Sequence, residues 1–280
     1  MSTELTTALK TASPTQINKL FGITSDKPKP IIPVLKVNEH DDEGSAPKGT
    51  FVYDDGDRVL HAKEVRIRSF VKAYQYRLFC SSDKSKNDIS TIGLNFKHEF
   101  RSISGRIACG KLSKKAFEKI SANATSQQLF FQKEAKCKLL VFGLVSGTFT
   151  DLDTKGEVVL KDALCVWSVS QSGFMSINDA IVGIERERRA VPLTPIRVHL
   201  KKEKTGTVTF HVPVPEVLGE TAELDVARDS AHLEVITKFI KDTNDYVDSK
   251  YNIAVNGKSE NDNFAHVAKD SGIANDPLDF

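Results

Sequence analysis

The sequence predicts a mainly β protein with a small β-barrel core and a few attached helices. Two observations predict this fold: many short segments of alternating side chains are separated by turn sequences, and helical spacing dominates only after residue 215. Six to eight short strands favour a closed barrel, because closure removes exposed sheet edges. The 280-residue length and 40% hydrophobic content allow a large core and exclude wholesale disorder.

Four regions follow one another along the chain. We predict an extended N-terminal arm over 1–49, a barrel core over 50–215, a helical segment over 216–251 and a flexible acidic tail over 252–280. Prolines punctuate the arm, and polar residues dominate the tail.

The barrel core opens with the strongest local signal in the chain. The turn sequence Asp54-Asp55-Gly56-Asp57 separates two β-type segments and predicts a hairpin. Strands are then expected at 59–78, 89–96, 102–112, 136–149, 156–170, 196–202 and 207–214, the last two as a hairpin.

Helices are expected at three places. Short ones are predicted over 114–123, with Ser113 as N-cap, and over 178–189. A longer helix is predicted over 229–251, because Leu233, Ile236, Ile240 and Val247 step by 3, 4 and 7. It would pack on the barrel or mediate self-association.

Charge is distributed unevenly along the chain. Residues 58–138 contain 18 Lys and Arg against 6 Asp and Glu, a surplus of +12, although the whole chain has a net charge of only +2. A basic block between acidic flanks indicates a polyanionic partner.

Residues 65–76 provide the main functional signal. Read as one regular strand, the segment has a core-like face with Val65, Ile67, Ser69, Val71 and Ala73. The opposite face would then combine three cations with three aromatic rings, namely Arg66, Arg68, Phe70, Lys72, Tyr74 and Tyr76. Cations neutralise phosphates and rings stack on bases, so this face predicts binding of single-stranded nucleic acid.

Further cations extend this expected surface. Lys97, Arg101, Arg106 and Lys111 are predicted to lie near phosphates, and Lys133, Lys136 and Lys138 lie on the next predicted strand. The alternative for the whole face is packing against the arm or the C-terminal helix, with the cations reaching water. The large positive surplus favours nucleic acid.

The chain ends Asp276-Pro277-Leu278-Asp279-Phe280. This end resembles the C-terminal tip of bacterial and phage single-stranded DNA-binding proteins, in which carboxylates precede a final aromatic residue. The resemblance implies that Asp276, Leu278, Asp279 and Phe280 bind replication proteins such as a polymerase, helicase or recombinase.

Together, the basic aromatic strand and the tip resemble the OB-fold single-stranded DNA-binding proteins of tailed phages. The segment 61–76 is also similar to phage proteins with a YAK…FRPF…YQY pattern, with Ser69 in place of the central proline. The resemblance implies an OB-like barrel acting in phage DNA replication, recombination and repair.

The sequence contains no complete enzymatic motif, and we expect a non-enzymatic protein without cofactor or metal. The P-loop-like stretch from Gly105 to Lys111 is followed by Leu112, where a nucleotide-binding loop needs Ser or Thr. Two rival functions remain: a phage structural or assembly protein, and a metal-dependent nuclease using Asp54, Asp55 and Asp57.

The sequence also predicts a cytoplasmic location, which would be the host cytoplasm for a phage protein. The N-terminus lacks the basic and apolar regions of a signal peptide, and the four cysteines form no C-x-x-C pair. The predicted helix over 229–251 is also compatible with a homo-oligomer.

Overall fold

A computed structural model describes residues 31–42, 44–79, 87–95, 97–105, 135–169 and 171–256. Most of the predicted arm, the predicted helix over 114–123, the predicted strand beyond residue 105 and the acidic tail beyond residue 256 lie outside these residues. The nine strands are β1 Val34–Asn38, β2 Thr50–Asp54, β3 Val59–Ala62, β4 Glu64–Leu78, β5 Asp88–Ile89, β6 Lys136–Asp151, β7 Glu157–Val169, β8 Ile196–Thr205 and β9 Val208–Val217. Among the described residues, the α-helices are α1 Gln171–Arg186 and α2 Val226–Asn256, and a 3₁₀ turn covers Val191–Leu193.

The protein is mainly β and contains a closed five-stranded barrel. Its ring runs β1-β2-β3-β6-β7 and closes where β7 pairs with β1. Only the β1–β7 contact is parallel; the other four pairings are antiparallel. The small barrel predicted from the alternating segments is therefore confirmed.

Aromatic side chains fill the barrel. Trp167 is buried on β7 and meets Phe51 of β2 edge-to-face, with ring centroids 5.7 Å apart. Phe149 of β6 packs similarly against Tyr53, at 6.2 Å. Trp167 is thus a core residue, on the same face of β7 as the buried side chains of Cys165 and Val169.

The barrel begins earlier than predicted. β1 lies within the region predicted as an arm, where Val34 and Leu35 pair with β7 and the whole strand pairs with β2. The surrounding prolines indicate a loop, so local patterns do not predict this short strand. Its pairing with β7 depends on residues that are distant in sequence.

Four strands extend the sheet beyond the barrel. β4 pairs with β6 along most of its length, β5 pairs with the end of β4, β8 pairs with the start of β4, and β9 pairs with β8. The predicted β8–β9 hairpin is confirmed. The segment predicted as one strand over 59–78 is instead two strands separated at Lys63, because β3 pairs with the end of β6 and β4 with its earlier part.

The predicted strand over 89–96 is largely absent. Among its described residues only Ile89 belongs to a strand, since Asp88 and Ile89 pair with the end of β4, whereas Ser90 and Gly93 form isolated bridges with Ser102 and Tyr74. Asn244 of α2 bonds the backbone N–H and the carbonyl oxygen of Ile92, at 2.6 and 3.0 Å. A side chain therefore satisfies backbone groups that a strand partner would otherwise bond.

The two helices cover opposite faces of the extended sheet. α1 buries Ile177, Ile181 and Ile184 in the core that continues from the barrel interior. α2 packs Ile236 on the outer face, against Ala73 and Phe142. Two of the three predicted helices are present, and each is longer than expected; the third, over 114–123, lies outside the described residues. Neither of these two described helices is both long and apolar enough to cross a membrane.

Candidate nucleic-acid interface

The face predicted on β4 does not exist as one surface. Ser69 pairs with Gly143 and Val71 with Phe142, so Phe70 is an extra residue that forms a β-bulge. Before the bulge, Val65 and Ile67 point into the core, whereas after it Tyr74 and Tyr76 do so. The bulge therefore reverses the alternation on which the prediction depended.

Arg68 lies in a buried ion network and not on an exposed basic surface. Its guanidinium donates to Asp229 Oδ2 at 3.0 Å, to Asp162 Oδ2 at 3.1 Å and to the Pro192 carbonyl oxygen at 2.9 Å. Its side chain is 5% exposed. The prediction that Arg68 meets phosphates is thus wrong for this conformation, because its donors are already bound inside the protein.

Asp229 is held by a second arginine in this network. Arg228 contacts Asp229 Oδ1 at 3.0 Å and Asp162 Oδ2 at 3.2 Å. Burial alone would raise the pKa of Asp229, but the hydrogen bonds and positive charges of Arg228 and Arg68 outweigh it and lower the pKa. Asp229 is therefore ionised at neutral pH.

The two tyrosines predicted to stack on bases are core residues. Tyr74 donates its hydroxyl to Asn178 Oδ1 of α1 at 3.2 Å, and Tyr76 meets Phe100 edge-to-face with ring centroids 5.1 Å apart. Burial raises the pKa of Tyr74. Because both rings are packed inside the protein, neither is placed to stack on a base, and the predicted stacking role is corrected.

The remaining members of the face predicted on β4 are scattered. Phe70 is half-buried beside α2, with the Arg68 guanidinium 5.8 Å from its ring centre. Arg66 is exposed and bonds Glu220 at 3.0 Å, whereas Lys72 is half-buried.

The cations predicted to extend that face are separate from it. Lys97 is exposed, whereas Arg101 is bound by Glu99 and Asp248, each at 3.3 Å. The cations of the predicted site that the structure describes therefore do not form one patch.

The other predicted site residues lie outside the described residues. They are Arg106 and Lys111 of the basic block, and Asp276, Leu278, Asp279 and Phe280 of the tail.

A different group of cations meets where β4 ends and β6 begins. Arg77 pairs directly with Lys136, and Gln75 pairs with Lys138. Since cross-strand partners and alternate residues share a face, the three cations lie on one side of the sheet, with opposed Cβ atoms about 5 Å apart. We call Arg77, Lys136 and Lys138 the basic end.

One cation of the basic end, Lys138, lies in an environment that disfavours its charged form. Burial and the neighbouring Arg77 lower the pKa of Lys138 to about 8. A phosphate placed here would relieve this repulsion, because it supplies the opposite charge.

An exposed aromatic ring adjoins these cations. Phe79 directly follows β4, two residues after Arg77, and is 39% exposed. The surface predicted from the sequence included Lys136 and Lys138 but stopped at Tyr76 and missed Arg77 and Phe79. Regular alternation places Arg77 and Phe79 on the face predicted as core-like, with Val71 and Ala73, so the sequence pattern did not indicate them.

The carboxylates proposed for a nuclease have structural roles. Asp54 accepts from the Gly56 N–H at 2.9 Å, and Asp55 accepts from the Asp57 and Arg58 N–H groups at 3.0 and 2.8 Å. These contacts build the hairpin turn. In the part of the chain that the structure describes, no three His, Cys, Asp or Glu residues are arranged to hold a metal ion.

Comparison with known proteins finds no family, no curated protein and no solved structure that matches this chain. The site must therefore be interpreted from its own chemistry.

Proposed function

We propose that this protein is a non-enzymatic single-stranded DNA-binding protein that coats DNA without sequence preference. The observation that carries the proposal is the basic end, where Arg77, Lys136 and Lys138 share one face beside the exposed ring of Phe79. Cations for phosphates and a ring for base stacking are the two parts that sequence-tolerant binding of a single strand needs.

The barrel supports this proposal at a general level. Small five-stranded barrels of the OB type bind oligonucleotides on their strands and loops. The strand number and the closed ring support an OB-like assignment. The strand order differs, because this ring follows the chain order β1-β2-β3-β6-β7 whereas OB folds are Greek-key barrels.

The sequence next to the basic end adds further positive charge. Lys84 and Lys86 follow β4 along the chain and Lys133 precedes β6, with Asp83 and Glu134 among them, which leaves a net charge of +1 over these five residues. A strand of DNA lying across this end would neutralise several cations at once, so its affinity should fall steeply with salt.

Fluorescence anisotropy with labelled oligo-dT and a matched duplex, at two salt concentrations, tests the proposal. We expect tight, salt-sensitive binding to the single strand only. The double variant Lys136→Ala/Lys138→Ala should reduce the salt slope by about 0.7 for each phosphate that no longer meets a lysine. Lys238→Ala, at an exposed position on α2, is the matched control and should bind as the wild type does.

Two results would count against this function. The absence of oligo-dT binding at low salt would remove it, and binding that is equal in the double variant and the wild type would remove the assigned surface. A phage structural or assembly role would then be the better interpretation, because a β-rich body suits a virion component.

We further propose that the acidic tail recruits replication proteins during phage DNA replication, recombination and repair. The support is the sequence of the tip, with Asp276 and Asp279 near the terminal Phe280. Deletion of residues 270–280 should leave oligo-dT affinity unchanged or higher and abolish partner binding. A clear fall in DNA affinity would contradict this role.

A further inference from the structure

The β8–β9 hairpin has an outer face that no described helix covers. Cross-strand partners define its rows: Glu216 with Arg197 and Arg66, Val214 with His199 and Glu64, Val212 with Lys201, Phe210 with Glu203, and Val208 with Thr205. We call this surface the ribbon face. Only the start of β8 pairs with β4, so the rest of the hairpin is a two-stranded ribbon, whose other face contacts Ser176 of α1 and Glu39 through Pro213 and His211.

The edge strand presents a row of apolar side chains on this face. Val208 is 63% exposed, and Phe210, Val212 and Val214 are half-buried. Among the described residues, these four belong to none of the hydrophobic clusters. A contiguous row of partly exposed apolar side chains outside these clusters is typical of an interaction surface.

The charged residues beside this row balance one another. Arg66 bonds Glu220 at 3.0 Å, and Lys201 bonds Glu203 at 2.7 Å. Arg197 lies between two carboxylates, 3.0 Å from Glu216 and 3.5 Å from Glu64. A face whose cations are already paired offers little attraction to a polyanion, so a protein partner suits it better than DNA.

The chemistry of β9 also restricts how a partner binds. Pro213 and Pro215 lack the N–H groups that another strand would need for continuous pairing along this edge. Contact through the side chains of the face is therefore favoured over extension of the sheet.

We propose that the ribbon face binds a second copy of this chain, related by a two-fold axis. A two-fold interface uses the same surface twice, so that surface must complement itself. The ribbon face meets this requirement, because its positive and negative side chains balance one another and lie beside one row of apolar side chains. Two copies can therefore face each other without net charge repulsion. In the dimer, Phe210 and the valines of each copy are buried against those of the other, and the ion pairs form the polar rim.

Sedimentation velocity of the full chain without DNA tests the proposal. The wild type should sediment as a species of twice the 31.0 kDa chain mass. Val208→Glu and Val212→Glu should each raise the dimer dissociation constant at least about tenfold. Val159→Glu is the matched control, because Val159 is 69% exposed on β7 and lies outside the ribbon face, and it should remain dimeric.

A wild type that is monomeric at every concentration would overturn the proposal, as would equal dissociation constants in all three variants. Weaker oligo-dT binding by Val208→Glu with an unchanged mass would also overturn it and would assign the face to nucleic acid. Sedimentation is measured without DNA, so its result does not depend on whether the protein binds DNA.

Discussion

Arg68 Nη2 lies 3.0 Å from Asp229 Oδ2, and this buried contact joins β4 to a helix 161 residues further along the chain. The pair fixes the start of α2 against the sheet. The same guanidinium also bonds Asp162 of β7, so one side chain connects three elements.

Removal of Arg68 should destabilise the protein. Arg68→Ala leaves Asp162 and Asp229 with fewer partners, and we expect the free energy of unfolding to fall by about 3 kcal/mol. Arg66→Ala is the control, because Arg66 and Glu220 are largely exposed and such pairs contribute less than about 1 kcal/mol. Urea denaturation compares the two variants; equal losses would contradict a special role for Arg68.

Gly143 should tolerate no side chain. A Cβ at this position would overlap the carbonyl oxygen of Arg68 at the bulge. Gly143→Ala should therefore lower the free energy of unfolding by about 3 kcal/mol. Gly183→Ala in α1 has open space and should stabilise by up to about 1 kcal/mol. Thermal unfolding of both variants checks this contrast, and a stable Gly143→Ala protein would contradict the bulge geometry.

Tyr74 and Phe79 should respond differently to truncation. Tyr74→Ala empties a buried site and should cost about 3 kcal/mol or more of stability. Phe79→Ala removes a partly exposed ring and should instead weaken oligo-dT binding, by about 1–3 kcal/mol for a stacked base. Paired measurements of unfolding and anisotropy separate the two effects. Weaker DNA binding by a fully folded Tyr74→Ala protein would support the stacking role that the sequence predicts for this ring.

Binding at the basic end should depend on pH. The pKa of Lys138 is lowered to about 8, so the ammonium group loses its proton as the pH rises through that value. Between about pH 7 and about pH 9, oligo-dT affinity should fall more in the wild type than in Lys138→Arg, whose guanidinium stays charged. Anisotropy titrations at both pH values provide the measurement. Identical pH profiles would exclude Lys138 from the interface.

The lowered pKa of Lys138 should also affect stability: as the pH rises, DNA affinity should fall but the free energy of unfolding should increase. Lys138 releases its proton more readily when folded, so the unfolded chain binds more protons above about pH 8 and stability should rise with pH there. Lys138→Met should flatten this rise in urea denaturation curves measured across the same pH range.

Local sequence patterns predicted much of the secondary structure. The turn at 54–57 contains its own hydrogen-bonding groups, and the helical spacing of Ile236, Ile240 and Val247 marks the buried side of α2. The hairpin of β8 and β9 depends on neighbouring segments and could be recognised in the same way. Leu233 was expected on the buried side but is exposed, because it lies at the margin of the helix–sheet contact.

Local sequence patterns are enough to predict a mainly β protein, the positions of its main turns and last helix, and the region where its positive charge is concentrated. Those properties depend on near neighbours along the chain. The side of β4 that each ring and cation occupies depends on long-range pairing, because the bulge at Phe70 is set by the register with β6. Tertiary contacts likewise place Arg68 inside the protein and Arg77 beside Lys136, since the partners of both arginines are distant in sequence.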